Sequence, residues 1–239
     1  MGTVVTFDFS SQHPQLDARL DAAKGTLREA DEVFSLWKPL SPMSQLRRGD
    51  ITLEDAPSLI RDVLDRCALA KAMSGGWFDP WALPNGLDPT GFVKGWAAQV
   101  ALQCFDDLDL KGVVVNAAGD IASRGTNADG EPLLAGILSA ADPNRLIASV
   151  ILRGSLATSG GYARSQHLFN PKAGHFGAKA ASASVVGPDL GIADALATAV
   201  VCGGHEAFEG IAALPDYEVY VQYYDGSTES SEGFPLVAA

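Results

Sequence analysis

The chain has 239 residues, and its 17 Lys and Arg against 29 Asp and Glu give a formal net charge of −12. This balance argues against non-specific nucleic-acid binding, which depends on basic side chains that displace phosphate counterions, and against a basic membrane-binding surface. The three cysteines form no C-x-x-C pair, and no apolar run reaches 18 residues, so neither a zinc knuckle nor a membrane span is predicted. An acidic chain can still bind a small anion if cations are supplied locally.

The first part of the chain is predicted to begin with a strand over Thr3 to Phe9, because most of these residues are β-branched or aromatic. Apolar residues spaced three or four apart predict helices over three segments: about Pro14 to Phe34, about Ala56 to Met73, and Thr90 to Cys104. Thr90 is predicted to be the N-cap of the last helix. Ser41 to Asp50 is predicted to be a loop or irregular turn, and Gly75 to Asp88 an ordered loop packed on the fold.

The second part mixes strands and helices. Strands are predicted over Val113 to Val115, Leu146 to Leu156, Ala181 to Val186, and Tyr217 to Tyr223. Helices are predicted over Ile192 to Val201 and Glu206 to Leu214. The tail after Gly226 is Ser- and Glu-rich and is expected to be loose until Phe234. Because strands and helices do not alternate strictly, the pattern favours an α+β fold with mixed or antiparallel sheets, in a single domain over residues 1–239.

Common nucleotide and hydrolase motifs are absent from the sequence, including the P-loop, the Rossmann glycine fingerprint, G-x-S-x-G and H-E-x-x-H. Two polar clusters in the first half remain. Gly76 to Pro80 places Asp79 between aromatic residues and a proline, where its carboxylate either fixes a turn or bonds a ring system. In Asp88 to Gly95, Lys94 and an aspartate flank a predicted helix start that favours an anion; the alternative is a cap with a solvated lysine.

Two further clusters lie in the second half. Ala157 to Tyr162 combines small hydroxylated residues with glycines after a predicted strand, which suits a polar ligand. His167 follows, as either a structural residue or a base. Asp194 and Thr198 are four residues apart on one helix face, and their oxygens suit Mg²⁺, unless Thr198 bonds back to a helix carbonyl.

In this order, the clusters resemble the ApbE family of FAD:protein FMN transferases, and the resemblance extends to about residue 205. The motifs that carry it are Met1-Gly2-Thr3; Phe34-Ser35-Leu36-Trp37; Ser41 to Arg47; Gly76 to Pro80; Asp88 to Gly95, similar to D-x-x-G-x-x-K-G; Val115 to Ile121, similar to V-N-x-G-G-D-I; Thr158 to Gly160 with Tyr162; His167 with Pro171 and Gly174; and Ala193 to Thr198.

The resemblance implies an ApbE-like (T-fold-like) architecture and transfer of FMN from FAD to a Thr or Ser hydroxyl of a partner protein, with release of AMP. The alternatives are a Mg²⁺-dependent FAD pyrophosphatase and a non-catalytic FAD-binding protein. The residues expected to bind FAD are Met1, Trp37, Trp77, Phe78, Asp79, Asp88, Lys94, Thr158, Ser159, Gly160 and Leu168. The resemblance further implies Mg²⁺ bound by the Gly91 carbonyl, Asp194 and Thr198.

His167 is the candidate base for the acceptor hydroxyl, because a neutral imidazole accepts a proton near neutral pH. Lys94 and the Mg²⁺ would together neutralise the FAD pyrophosphate within an acidic chain. The sequence departs from the family pattern at Ala173, where a Thr is usual, and at Ala118, which replaces the first Gly of the Gly-Gly-Asp motif. No secretory signal is visible, although many relatives are exported lipoproteins, so a cytoplasmic location is expected.

Overall fold

The computed structural model describes residues 2–84, 86–160 and 168–237. The strands of its main sheet are β1 (Val5–Phe9), β2 (Gly112–Ala117), β3 (Asp120–Gly125), β6 (Ser155–Gly160), β9 (Ser182–Gly187), β10 (Glu218–Gln222) and β11 (Thr228–Ser230). Two small hairpins consist of β4 (Leu134–Leu138) with β5 (Leu146–Ile151), and β7 (Phe169–Asn170) with β8 (His175–Phe176). The helices are α1 (Leu16–Phe34), α2 (Pro42–Arg48), α3 (Ser58–Met73), α4 (Thr90–Gln103), α5 (Leu190–Gly203) and α6 (His205–Ala212).

The main sheet has the order β1-β2-β3-β6-β9-β10-β11, and every neighbouring pair is antiparallel. Helices α4 and α5 pack on one face of it, and α1 and α3 pack on these two helices. Side chains alternate across each strand, so that Val113, Val115 and Ala117 of β2 are buried beneath the helices. The predicted α+β class with antiparallel sheets is therefore confirmed. Among the described residues, no helix is long and apolar enough to cross a bilayer.

Gly95 sets the distance between the two central helices. A Cβ atom at this position would clash with the Leu190 carbonyl oxygen and lie 3.0 Å from Cβ of Asp194. Helix α5 consists largely of small or apolar residues, and nearly all of them are buried. The absence of a side chain at Gly95 therefore brings α4 and α5 into backbone contact.

The opposite face of the sheet is covered by the β4–β5 hairpin and the C-terminal segment. A second, smaller core lies between them and the sheet, and its buried members are Ile137, Val150, Leu152, Leu156, Tyr220 and Phe234. The expectation of a loose tail is wrong, because β11 pairs with β10 and Val237 donates a 2.8 Å hydrogen bond to the Ser149 carbonyl. Burial of Phe234 fastens this segment to the sheet.

Two other sequence predictions are corrected. The predicted loop over Ser41 to Asp50 contains α2, because the Ser41 hydroxyl accepts a 3.1 Å hydrogen bond from Ser44 N–H and a proline follows at the first helical position. The predicted strand over Leu146 to Leu156 is two strands, β5 and β6, separated at Gly154, whose φ of 116° breaks the extended chain. Strands β3 and β4 were not predicted.

Candidate functional site

A cavity of about 370 Å³ opens beside one end of the sheet, on the face that the helices cover. It is formed by the loop before α4, the first turns of α4, the β2–β3 turn, the end of β6, the start of β7 and helix α5. The residues that line it are Trp77, Phe78, Asp79, Pro80, Leu83, Asp88, Thr90, Gly91, Lys94, Ala118, Thr158, Ser159, Gly160, Leu168, Phe169, Asp194 and Thr198. Segments far apart in the sequence therefore meet around one space.

An ion pair joins Lys94, which lines the cavity, to the buried Asp120. The Lys94 ammonium contacts the carboxylate of Asp120, whose side chain is fully buried, and Asp120 Oδ1 accepts a 3.3 Å hydrogen bond from Thr158 N–H. Burial lowers the pKa of Lys94, but the charges of Asp194 and Asp120 and the hydrogen bond to Asp120 outweigh it, so its pKa lies above the ordinary value. Lys94 is therefore a cation fixed at the cavity.

Asp194 is 3% exposed and supplies a second acidic group, on α5. Its Oδ2 accepts a 3.2 Å hydrogen bond from Gly95 N–H, across the close contact between α4 and α5. Burial raises the pKa of Asp194 well above its ordinary value, the charge of Asp120 raises it further, and Lys94 opposes the rise. A cation bound at this carboxylate would offset the free-energy cost of burying its negative charge.

The hydroxyl of Thr198 lies one helical turn beyond Asp194. Its Oγ1 is 3.0 Å from Ser159 Oγ, and a Cβ at Gly91 would lie 3.5 Å from that same Oγ1. A carboxylate, a hydroxyl and the Gly91 backbone thus line the same cavity. No group of three or more His, Cys, Asp or Glu residues suited to a metal occurs in the described parts of the chain. One carboxylate with neutral oxygens fits Mg²⁺, which keeps waters and binds substrate phosphates alongside few protein ligands.

Comparison with known proteins places the chain in a family. The model of the ApbE family matches residues 82–221, which is more than half of the chain. The chain belongs to the ApbE family. No curated protein sequence matches this ApbE chain.

Solved structures of ApbE proteins share its fold. The flavin transferase ApbE from Vibrio cholerae is 18% identical with a TM-score of 0.82, over 98% of this chain and 95% of that one. The ApbE protein from Thermotoga maritima is 19% identical with a TM-score of 0.83, over 97% and 94% of the two chains. The Pseudomonas stutzeri flavinyl transferase ApbE, in its apo form, is 19% identical with a TM-score of 0.82, over 97% and 92%.

Most residues expected from the sequence to form the site of this ApbE protein line the cavity. They are Trp77, Phe78, Asp79, Asp88, Gly91, Lys94, Thr158, Ser159, Gly160, Leu168, Asp194 and Thr198. Trp37 does not line it, and its side chain is 92% exposed. Met1 and His167 lie outside the described residues. Asp120 was not singled out, because the sequence alone does not distinguish a buried partner of Lys94 from a turn aspartate.

Trp77 and Phe78 form an aromatic wall of the cavity, and two lysines lie over the Trp77 ring. The ammonium groups of Lys172 and Lys179 lie 4.1 and 4.8 Å from the ring centroid of Trp77. Asp79 makes a 2.7 Å ion pair with Lys71 and accepts a 3.0 Å hydrogen bond from the Trp81 backbone. Both interpretations of Asp79 are therefore compatible, since it fixes a turn and also lines the cavity.

The helix start beside this wall differs from the prediction. Thr90 is the first residue of α4 rather than its N-cap. The Asp88 carboxylate accepts hydrogen bonds from the Thr90 N–H and hydroxyl, at 3.0 and 2.6 Å. Asp88 therefore supplies the hydrogen-bond acceptor for the first residue of α4.

The two departures from the family pattern have separate structural settings. Ala118 has a φ of 52°, a left-handed conformation that glycine adopts at lower cost. Ala173 lies in a turn in which its N–H donates a 3.0 Å hydrogen bond to Asn170 Oδ1. Ala118 lines the cavity and Ala173 does not.

Proposed function

We propose that this ApbE chain is a Mg²⁺-dependent flavin transferase that moves FMN from FAD to a Thr or Ser hydroxyl of an acceptor protein and releases AMP. Family membership supports flavin transfer, and one observation carries the finer proposal. A single cavity joins an aromatic wall at Trp77 and Phe78 to a fixed cation, Lys94, and to the oxygen ligands of Asp194 and Thr198.

The proposed reaction exchanges one phosphorus–oxygen bond for another. The acceptor hydroxyl oxygen bonds to the phosphorus of the FMN half, and the bond from that phosphorus to the bridging oxygen breaks. The AMP half leaves with the electron pair, and the hydroxyl proton passes to a base, for which His167 stays the prediction. Such transfers depend on positioning and charge neutralisation more than on covalent help.

The residues of the chain supply that positioning. Lys94, held by Asp120, places a positive charge beside the pyrophosphate, and the backbone of Thr158 to Gly160 lies next to it. Asp194, Thr198 and the Gly91 carbonyl would hold Mg²⁺, which when bound neutralises pyrophosphate oxygens and the leaving AMP. Because the net charge of the chain is −12, FAD affinity is expected to depend on these local cations.

The test is incubation of the chain with FAD, Mg²⁺ and a panel of folded flavin-acceptor proteins, with mass analysis of proteins and nucleotides. The proposal expects acceptors that gain FMN as AMP appears. Asp194→Asn should reduce both signals by about 100-fold or more, as removal of one charge-stabilising group does. Asp65→Asn, at an exposed position on α3, is the matched control and should act as the unaltered chain.

Three results would contradict the proposal in different ways. AMP and free FMN without any labelled acceptor would identify an FAD pyrophosphatase. Bound but intact FAD would identify a non-catalytic binding protein. Unchanged activity and unchanged FAD affinity after chelation of Mg²⁺ would show that the reaction does not require the metal.

A further inference from the structure

A second and larger cavity, of about 640 Å³, lies on the other face of the sheet. Its floor is the outward face of β2, β3 and β6, with side chains such as Val114, Ile121 and Leu156. Its other wall is the whole of β4, from Leu134 to Leu138. We call this space the β4 groove. Its lining is mostly apolar, and the charged side chain in it is Asp8.

The β4 groove is continuous with the candidate active-site cavity. Ala118 and Thr158 line both spaces. Side chains alternate along β6, so Thr158 faces the groove side with its Oγ1 2.9 Å from Ser184 Oγ, whereas Ser159 faces α5 and contacts Thr198. The two spaces therefore meet around the end of the sheet, where the expected pyrophosphate site begins.

Strand β4 is an edge strand beside this groove, and in the described structure its Leu138 carbonyl accepts a 3.0 Å hydrogen bond from Gln222 Nε2. Among the described residues, β4 pairs with β5 alone. The far edge of β5 is already occupied, because Ile151 N–H donates to the Pro235 carbonyl at 2.9 Å and Val150 forms a bridge with Leu236. On β4, Leu134 and Leu138 remain 59% and 49% exposed. An edge strand with exposed leucines is suited to pairing with another chain.

We propose that the β4 groove binds an extended segment of the flavin-acceptor protein, which adds to β4 as a further strand. This inference rests on the proposed function, since the transfer requires a polypeptide hydroxyl to reach the cavity. A segment seated along β4 would present its Thr or Ser side chain at the Ala118 and Thr158 end of the groove. The lining favours neutral, apolar or small side chains, with a basic side chain opposite Asp8 preferred over an acidic one.

The experiment uses a peptide library as its probe. Heptapeptides with Thr at the centre and randomised flanking positions are incubated with the chain, FAD and Mg²⁺, and peptides that gain FMN are identified by mass. The unaltered chain should label a subset with apolar or basic flanks. The double variant Leu134→Arg with Leu138→Arg should label them about 30-fold or more slowly, as loss of an interface hot spot does. Its dissociation constant for FAD should stay unchanged.

Leu69→Arg is the matched control, because Leu69 is an exposed leucine on α3, outside the groove. It should label peptides at the unaltered rate. A second measurement repeats the assay with the best peptide after alternate backbone N-methylation. This change keeps every side chain but removes main-chain donors, so labelling should be lost if the peptide pairs with β4.

The outcomes separate the two proposals. If no peptide is labelled although folded acceptors are, the extended-segment proposal is overturned while the transfer function stands. Equal labelling by the double variant also overturns the docking proposal alone. Loss of FAD affinity in the double variant would indicate that the groove binds FAD and not the acceptor segment. Failure to label any peptide or protein would overturn the transfer function itself.

Discussion

The two faces of the main sheet differ in how tightly they are covered. On the helix face, α4 and α5 touch through their backbones at Gly95, and Lys94, its partner Asp120 and Asp194 are held beside one cavity. On the hairpin face, a small core leaves a groove of about 640 Å³ beside an exposed strand edge. The close packing of the helix face holds its charged side chains in one geometry. The looser packing of the hairpin face leaves room for a segment of a partner chain.

Among the variants that compare the two faces, the largest effect is expected from Asp120→Asn, which tests whether the helix face depends on its buried charges. Lys94 would lose its ion-pair partner and its fixed position. We expect FAD turnover to fall about 10- to 100-fold, as is typical when a group that orients a site residue is altered. Steady-state kinetics of AMP release measure this change, and Asp62→Asn on the exposed side of α3 is the control. Turnover equal to that of the unaltered chain would show that Asp120 is only structural.

A pair of glycine substitutions compares the packing of the two faces directly. Gly95→Ala places a methyl group against the Leu190 backbone, which cannot move freely, and should lower the free energy of unfolding by about 1–3 kcal/mol. Gly136→Ala on β4 instead meets the end of the Leu146 side chain, which is 55% exposed and can turn away. Its expected effect is below about 0.5 kcal/mol. Urea denaturation of both variants measures the difference, and equal losses would refute the contrast.

The smallest effect is expected at the far edge of the sheet, where His205 of α6 contacts β11. Its Nδ1 lies 3.1 Å from Glu229, and the hydrogen bond and charge of Glu229, with a smaller effect of Glu209, raise the pKa of His205. This contribution to stability is present in full below about pH 6.5, the ordinary value. It is lost as the pH rises through the raised pKa of the folded state.

His205→Gln provides the measurement for this contact. Thermal unfolding at pH 5.5 and at pH 8.5 should show the unaltered chain losing more stability than the variant over that interval. The exposed site keeps the difference small. A variant with the same pH dependence as the unaltered chain would show that the contact between α6 and β11 adds nothing.

The sequence predicted the helix face better than the hairpin face. Helices α1, α3, α4 and α5 have apolar residues at helical spacing, and the residues expected to hold Mg²⁺ occur in short motifs on α4 and α5. Strands β3 and β4 lack such a signal. Strand β3 contains Ser, Arg and Gly and pairs on one side with the distant strand β6, and β4 is short with Gly136 at its centre.

Individual residues show the same limit. Trp37 lies in a family motif yet is exposed, because a sequence motif specifies the residue type at a position but not the residues that pack around it. Asp120 was missed because its importance comes from burial against Lys94, which tertiary packing creates. The ordered tail was missed because Phe234 is anchored by a core that only the assembled sheet provides.

The order of strands in the sheet has a consequence for synthesis of the protein. Strand β6 lies beside β3 although the β4–β5 hairpin comes between them in the chain, and α5 packs on both β6 and β9. The cavity draws on residues from Trp77 to Thr198, so contacts between distant segments must form first, and such contacts form slowly. A nascent chain acquires the complete site only after α5 leaves the ribosome. FAD then stabilises only finished molecules, because a ligand of the native state shifts the folding equilibrium by mass action.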